Sequence, residues 1–145
     1  MERSYKGRAG LAVGGAIGLA TLVACTATQA PTPVGRALYL DYCLTCHGPE
    51  GKGDGPLAGD WEKPPADLTG IARRNGGKFP LAQVMTKIDG YGRSRTHGAT
   101  MPEMGQVFQD ADQVMVDTGD GIETPVPVPL FELAEYLRSI QDPAG

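Results

Sequence analysis

The chain has 145 residues and a formal net charge of −4, the length of one domain and a balance that argues against nucleic acid as a partner. It has three cysteines, an odd number that cannot close a disulfide framework. From the N-terminus, Arg3, Lys6 and Arg8 form a positive start with one acid, Glu2, and Ala9 to Ala24 follow without charge. That stretch is shorter than the roughly 20 residues a spanning helix needs, and the pattern predicts an export signal over 1–24. An uncleaved anchor stays open as the alternative. Losing 1–24 removes three bases and one acid, so the remaining chain carries −6.

Leu22-Val23-Ala24-Cys25 resembles a bacterial lipobox, which implies a lipidated Cys25 and a protein held at a membrane in the periplasm. Each buried acyl methylene contributes about 0.8 kcal/mol to such anchoring. The other reading is a chance cysteine at the end of an ordinary signal. Residues 25–32 are small and polar, a tether, and 33–145 form the expected domain. Thr32 and Pro33 suit an N-cap and first helical position. Gly35, Leu38, Tyr39 and Tyr42 follow at helical spacing and lead into Cys43. Residues 48–66 are rich in Gly and Pro and predict a long irregular loop. A short helix is expected over about 67–73. A better one follows Pro80, with Leu81, Val84, Met85 and Ile88 on one face and Gly90 and Gly92 at its end. Over 106–116 the pattern fits a short helix or a strand. Asp117-Thr118-Gly119-Asp120-Gly121 reads as a turn without calcium-loop spacing, and Pro125, Pro127 and Pro129 as an extended run. The last helix begins near Pro129, buries Leu133, Tyr136, Leu137 and Ile140, and stops before Pro143. Basic residues gather in the middle of the chain, whereas no Lys or Arg occurs between Thr96 and Leu137. Such a charge asymmetry can steer a charged partner.

So little periodic structure predicts a modest core, with something else filling the middle. Cys43-Leu44-Thr45-Cys46-His47 is the C-x-x-C-H pattern of c-type haem attachment. Two thiols three residues apart can reach the two vinyl groups on one edge of a porphyrin, and the next residue, His47, can ligate the iron. A thioredoxin-like motif would follow a strand, and here a helix precedes it. A zinc site would need a fourth ligand, with His97 the only other histidine. A Cys43–Cys46 disulfide would leave the adjacent histidine without a purpose.

At these residues the chain resembles the class I c-type cytochromes. Gly35 and Tyr39 stand where that family has its helix-contact glycine and aromatic, and Leu133, Tyr136 and Leu137 match the C-terminal helix that crosses there. Gly53-Asp54-Gly55-Pro56 looks like the family's loop beside the proximal histidine, whose proline carbonyl accepts a hydrogen bond from the ring. Pro64-Pro65-Ala66-Asp67-Leu68-Thr69 also looks like a recurrent segment of bacterial members. The similarity covers about 33–105 and 129–141; the acidic stretch at 106–128 exceeds the minimal pattern. The resemblance implies an all-α fold, with three main helices and long loops wrapped around one covalent haem c.

Met101-Pro102 resembles the family's distal Met-Pro, which makes Met101 the expected second ligand of the iron and His47 the first. Met104 and His97 are the alternatives. Met85 and Met115 read as fillers. Trp61, Arg93 and Arg95 are candidates to meet the haem propionates, and each has a plainer reading as core or surface. The expected function is that of a periplasmic one-electron carrier, without catalysis of its own, that meets donor and acceptor redox proteins. The alternative is a haem c subunit of a membrane-associated dehydrogenase or oxidase complex. A ligand-binding or catalytic haem protein would require Met101 to be absent or displaceable.

Overall fold

A computed structural model of the chain describes residues 33–91, 101–119 and 121–143. The predicted signal, Cys25, the tether, Arg93, Arg95 and His97 lie outside the described residues. In chain order the elements are α1 (Pro33–Tyr42), α2 (Leu44–His47), a single 3₁₀ turn (Ala58–Asp60), α3 (Ile71–Arg74), α4 (Leu81–Asp89), α5 (Gly105–Phe108), β1 (Gln113–Asp117), β2 (Glu123–Pro127) and α6 (Val128–Ser139). The long helices are α1, α4 and α6. The fold is therefore mostly helical but not all-α as expected, because β1 and β2 form a two-stranded antiparallel sheet. No helix among the described residues is long and apolar enough to cross a membrane.

The crossing of α1 and α6 organises the core. A β-carbon on Gly35 would lie 2.1 Å from the Glu132 carbonyl oxygen and 2.9 Å from Tyr136 Cβ, so only hydrogen fits between the two backbones there. One turn later Tyr39 is fully buried, its ring 5.2 Å from that of Tyr136 at a 45° tilt. Such pairs add about 0.5–1.5 kcal/mol beyond area burial. Leu133, also fully buried, and Leu137 complete the α6 face. Helix α4 supplies Leu81, Val84, Met85 and Ile88, the four residues its spacing predicts, and ends at Gly90 in the left-handed conformation.

Two elements differ from their predicted bounds. The short helix begins at Ile71 because the Asp67 carboxylate takes the Thr69 amide at 2.8 Å and hydroxyl at 2.7 Å. That side-chain turn competes with helix over 67–70. The 106–116 stretch contains both candidate structures in succession, α5 and then β1. Val116 and Val126 are buried on the inner face of the hairpin, while Gln113, Met115, Glu123 and Pro125 are exposed. The Asp117 carboxylate accepts from the Gly119 and Gly121 amides at 2.8 and 3.0 Å, which closes the predicted turn.

Replacing Gly35 with Ala should destabilise the protein by about 1–3 kcal/mol, the usual range for overpacking. A chemical denaturation midpoint indistinguishable from wild type would show that the helices separate without cost.

Candidate functional site

The Tyr39 carbonyl accepts the Cys43 amide at 2.9 Å at the end of α1, and the chain re-enters one helical turn, in which Cys43 O accepts from His47 N at 2.8 Å. That turn sets Cys43, Cys46 and His47 on a common side. The glycine-rich loop then folds back along it. Gly53 N donates to His47 O at 2.9 Å, Gly55 N to Cys46 O at 3.2 Å and Leu57 N to Thr45 O at 2.9 Å. These bonds satisfy the carbonyls that a short helix leaves without partners. A β-carbon on Gly55 would come within 2.5 Å of Thr45 O, which explains the glycine. Tyr39 adds its hydroxyl, donated to the Gly48 carbonyl; burial holds that phenol above its ordinary range.

The partner of the histidine ring corrects the sequence-based expectation. His47 Nδ1 lies 2.9 Å from the carbonyl oxygen of Ala66, not from Pro56, which sits on the exposed side of the loop. A carbonyl only accepts, so Nδ1 is the donor there, and in the neutral ring that leaves the lone pair on Nε2. Pro64-Pro65 stiffens the approach to Ala66, and the Asp67–Thr69 turn fixes its exit. The C-terminal tail holds the same segment from outside. Gln141 Nε2 donates to Leu68 O at 2.8 Å, Gln141 Oε1 accepts from Ala72 N at 2.8 Å, and Asp142 N donates to Thr69 O at 2.9 Å.

Cys43, Cys46 and His47 open onto a cavity of about 250 Å³. Trp61, Lys63, Pro64, Pro65 and Ala66 form one part of its lining, and Tyr42, Lys87, Ile88, Met101, Pro102 and Met104 complete it. The structure thus brings both expected cysteines, the expected histidine and both candidate methionines to one space, with Trp61 at its exposed mouth. The two cysteines are not joined to each other, and burial pushes the Cys43 thiol up to about 11, as suits a neutral sulfur packed in an apolar wall. Among the described residues no three His, Cys, Asp or Glu side chains converge as a metal-ion cage requires. The motif side chains line a wall instead of closing on a point. Two cysteine sulfurs, an imidazole whose Nδ1 is tied to a carbonyl and an apolar surround fit a broad flat group held at its edge.

Sequence reasoning missed Ala66, Lys63 and Lys87. The Ala66 contribution is a backbone carbonyl, and no side chain announces it. The Pro-Pro step before it and the Asp-x-Thr turn after it were the available signals. Lys63 and Lys87 carried no motif at all.

Residues 30–116 match the family described as cytochrome c oxidase, cbb3-type, subunit III. The chain belongs to this family and is a class I c-type cytochrome. Membership implies covalent haem c and haem-based electron transfer, the group for which the cavity wall is suited. Among solved structures, this cytochrome is similar to a chain of the reducing HAO-like protein complex of Kuenenia stuttgartiensis at 22% identity, with a TM-score of 0.46. The match covers 79% of this chain and 47% of that one, so the cytochrome spans less than half of that protein's length. No curated protein matches it.

The Asp67 carboxylate is held below its ordinary range, first by the Thr69 hydroxyl, and, against the desolvation of partial burial, also by the Thr69 amide and the charges of Arg74 and Arg73. Its folded value lies below its unfolded value. Its contribution is therefore present above the ordinary carboxylate range and is lost as pH falls through the folded value. Asp67→Asn should lower stability at pH 7 and flatten the acid limb of the stability curve. Denaturation midpoints across pH 2–7 test this; an acid limb as steep as wild type would assign the acid sensitivity elsewhere.

Proposed function

We propose that this cytochrome is a periplasmic one-electron carrier with a single haem c, held by thioethers to Cys43 and Cys46 and ligated by His47 and Met101. The observation that carries this reading is the convergence of the two sulfurs, an imidazole with its Nδ1 committed to Ala66, and Met101 on one cavity. When bound, the haem supplies an iron couple that takes up and gives back one electron.

The chain's own residues do the rest. Cys43 and Cys46 fix the group by one edge to a helical turn whose carbonyls the 53–57 backbone holds. The Ala66 carbonyl keeps the His47 ring in the tautomer that leaves Nε2 for the metal. Pro64, Pro65 and Ile88 keep water from that side. Met104 is built into the scaffold: it is buried, its amide donates to Ile88 O at 3.0 Å, and its carbonyl accepts the first bonds of α5. Met101 lies before this anchored turn with Pro102 stiffening its exit, which supports Met101 as the ligand. A soft thioether favours the reduced metal and raises its potential. With His47 and Met101 both committed to holding the iron, no site for a substrate would remain on it, and the role would be transfer and not catalysis. Tyr42 and Trp61, partly exposed on the cavity lining, mark the side at which a redox partner would approach.

Export and lipidation at Cys25 are proposed from the N-terminal sequence alone. They would confine the encounter with donor and acceptor to a membrane surface. A second reading, a haem c subunit of a membrane-associated oxidase or dehydrogenase, is favoured by the family's own description as an oxidase subunit. Isolation from native membranes distinguishes the two: a carrier leaves alone, whereas a subunit leaves with its complex in fixed stoichiometry.

His47→Ala should abolish normal haem incorporation, and a wild-type spectrum from that variant would overturn the proximal assignment. Met101→Ala should lower the reduction potential and let the reduced protein bind carbon monoxide, with Met104→Ala nearly silent in both. Optical redox titration reads the outcome, and the opposite ranking would exchange the two methionines.

A further inference from the structure

The β1–β2 hairpin contributes no residue to the cavity lining. Its ladder determines which backbone groups face outward. Val128 N donates to Asp112 O at 2.8 Å, and bonded and non-bonded pairs alternate along an antiparallel ladder. In the observed register, Val114↔Val126 and Val116↔Thr124 are the next bonded pairs, and Gln113↔Pro127 and Met115↔Pro125 lie between them. These intervening residues turn their peptide groups away from the partner strand. On β2 two of them are proline, so that edge has no donor at Pro125 or Pro127. On β1 they are Gln113 and Met115, which keep both donor and acceptor. Both residues are exposed, Met115 to 53%, and among the described residues no backbone bond outside the ladder involves either.

An edge strand left this way is a template for another strand, and proteins commonly blunt it with lysine or proline. Here proline blunts one edge, and the other carries neither. The charged side chains of the hairpin and of the turn before it have one sign. Asp110, Asp112 and Glu123 are exposed, and the chain has no Lys or Arg between Thr96 and Leu137. A second copy would bring two acidic edges together, with like charges opposed.

We propose that the open edge of β1 docks an extended, basic segment of a partner protein as a third strand. Backbone bonds at Gln113 and Met115 would hold the segment, and Asp110 and Asp112 would select lysine or arginine on it. The edge follows directly on α5, whose Phe108 packs edge-on against the cavity-lining Tyr42 at 6.1 Å. A partner seated there is one short helix from the redox site.

The test uses the reduced, ¹⁵N-labelled holoprotein with a short alternating lysine–valine peptide as the probe, reading amide hydrogen exchange by NMR. The peptide should slow exchange of the Gln113 and Met115 amides about tenfold or more, and salt should weaken the effect. Met115→Pro removes an outward donor that the ladder does not use and should abolish the protection. Reversing Asp110 and Asp112 to Lys should transfer it to a glutamate–valine peptide, an outcome that does not depend on how well the proline variant folds. The proposal is overturned if protection is absent, survives Met115→Pro in folded protein, or is equally given by a proline-interrupted lysine–valine peptide. Sedimentation showing that the holoprotein pairs with itself through this edge would overturn it as well.

Discussion

One hydrogen bond between a ring and a backbone carbonyl, His47 Nδ1 to Ala66 at 2.9 Å, is the constraint from which the site is built. A histidine side chain alone can rotate and can carry its proton on either nitrogen. Tying Nδ1 to an acceptor removes both freedoms and leaves Nε2 as the one available ligand atom. The carbonyl must then itself be immobile. Proline precedes it twice, the Asp67–Thr69 turn follows it, and Gln141 and Asp142 grip the segment from the far end of the chain. The C-terminal tail and the ring are thereby coupled across nearly a hundred residues of sequence without touching.

The second constraint is the approach of α1 and α6 at Gly35. It brings the start of the domain against its end, and the buried Tyr39 one turn on links that crossing to the haem motif through the Gly48 carbonyl. Core packing and motif geometry are thus not separate properties. The helix that carries the cysteines is positioned by the same contact that closes the fold. Gly55 serves the same end on the other side, since it lets a backbone lie flat on the back of the motif where a side chain would push it away.

The acidic hairpin stands apart from this arrangement. It adds two buried valines to the core, Val116 and Val126, with Val114 partly buried against it, and turns Gln113, Met115, Glu123 and Pro125 to water. Its prolines read in the sequence as an extended run, although proline removes a ladder donor. They are tolerated because the sheet has two strands only and both prolines fall on the outward-facing register. Whether a proline is compatible with a strand depends on which way its missing N–H would have pointed, and a sequence does not carry that information.

The sequence by itself determined the chemistry: a C-x-x-C-H spacing, a Met-Pro downstream, a glycine and an aromatic at the right distance before the first cysteine, and the apolar faces of α1, α4 and α6. These are short-range signals, since spacing along a helix or a turn is enough to read them. Only the tertiary structure decided which carbonyl meets the His47 ring, that Lys63 and Lys87 join the cavity wall, and that the 106–128 stretch becomes a helix and a hairpin with one blocked and one open edge. Each of these rests on backbone groups or on segments that meet from distant parts of the chain. Every residue carries the same N–H and C=O, so the identity of the side chains does not reveal which of them will be used.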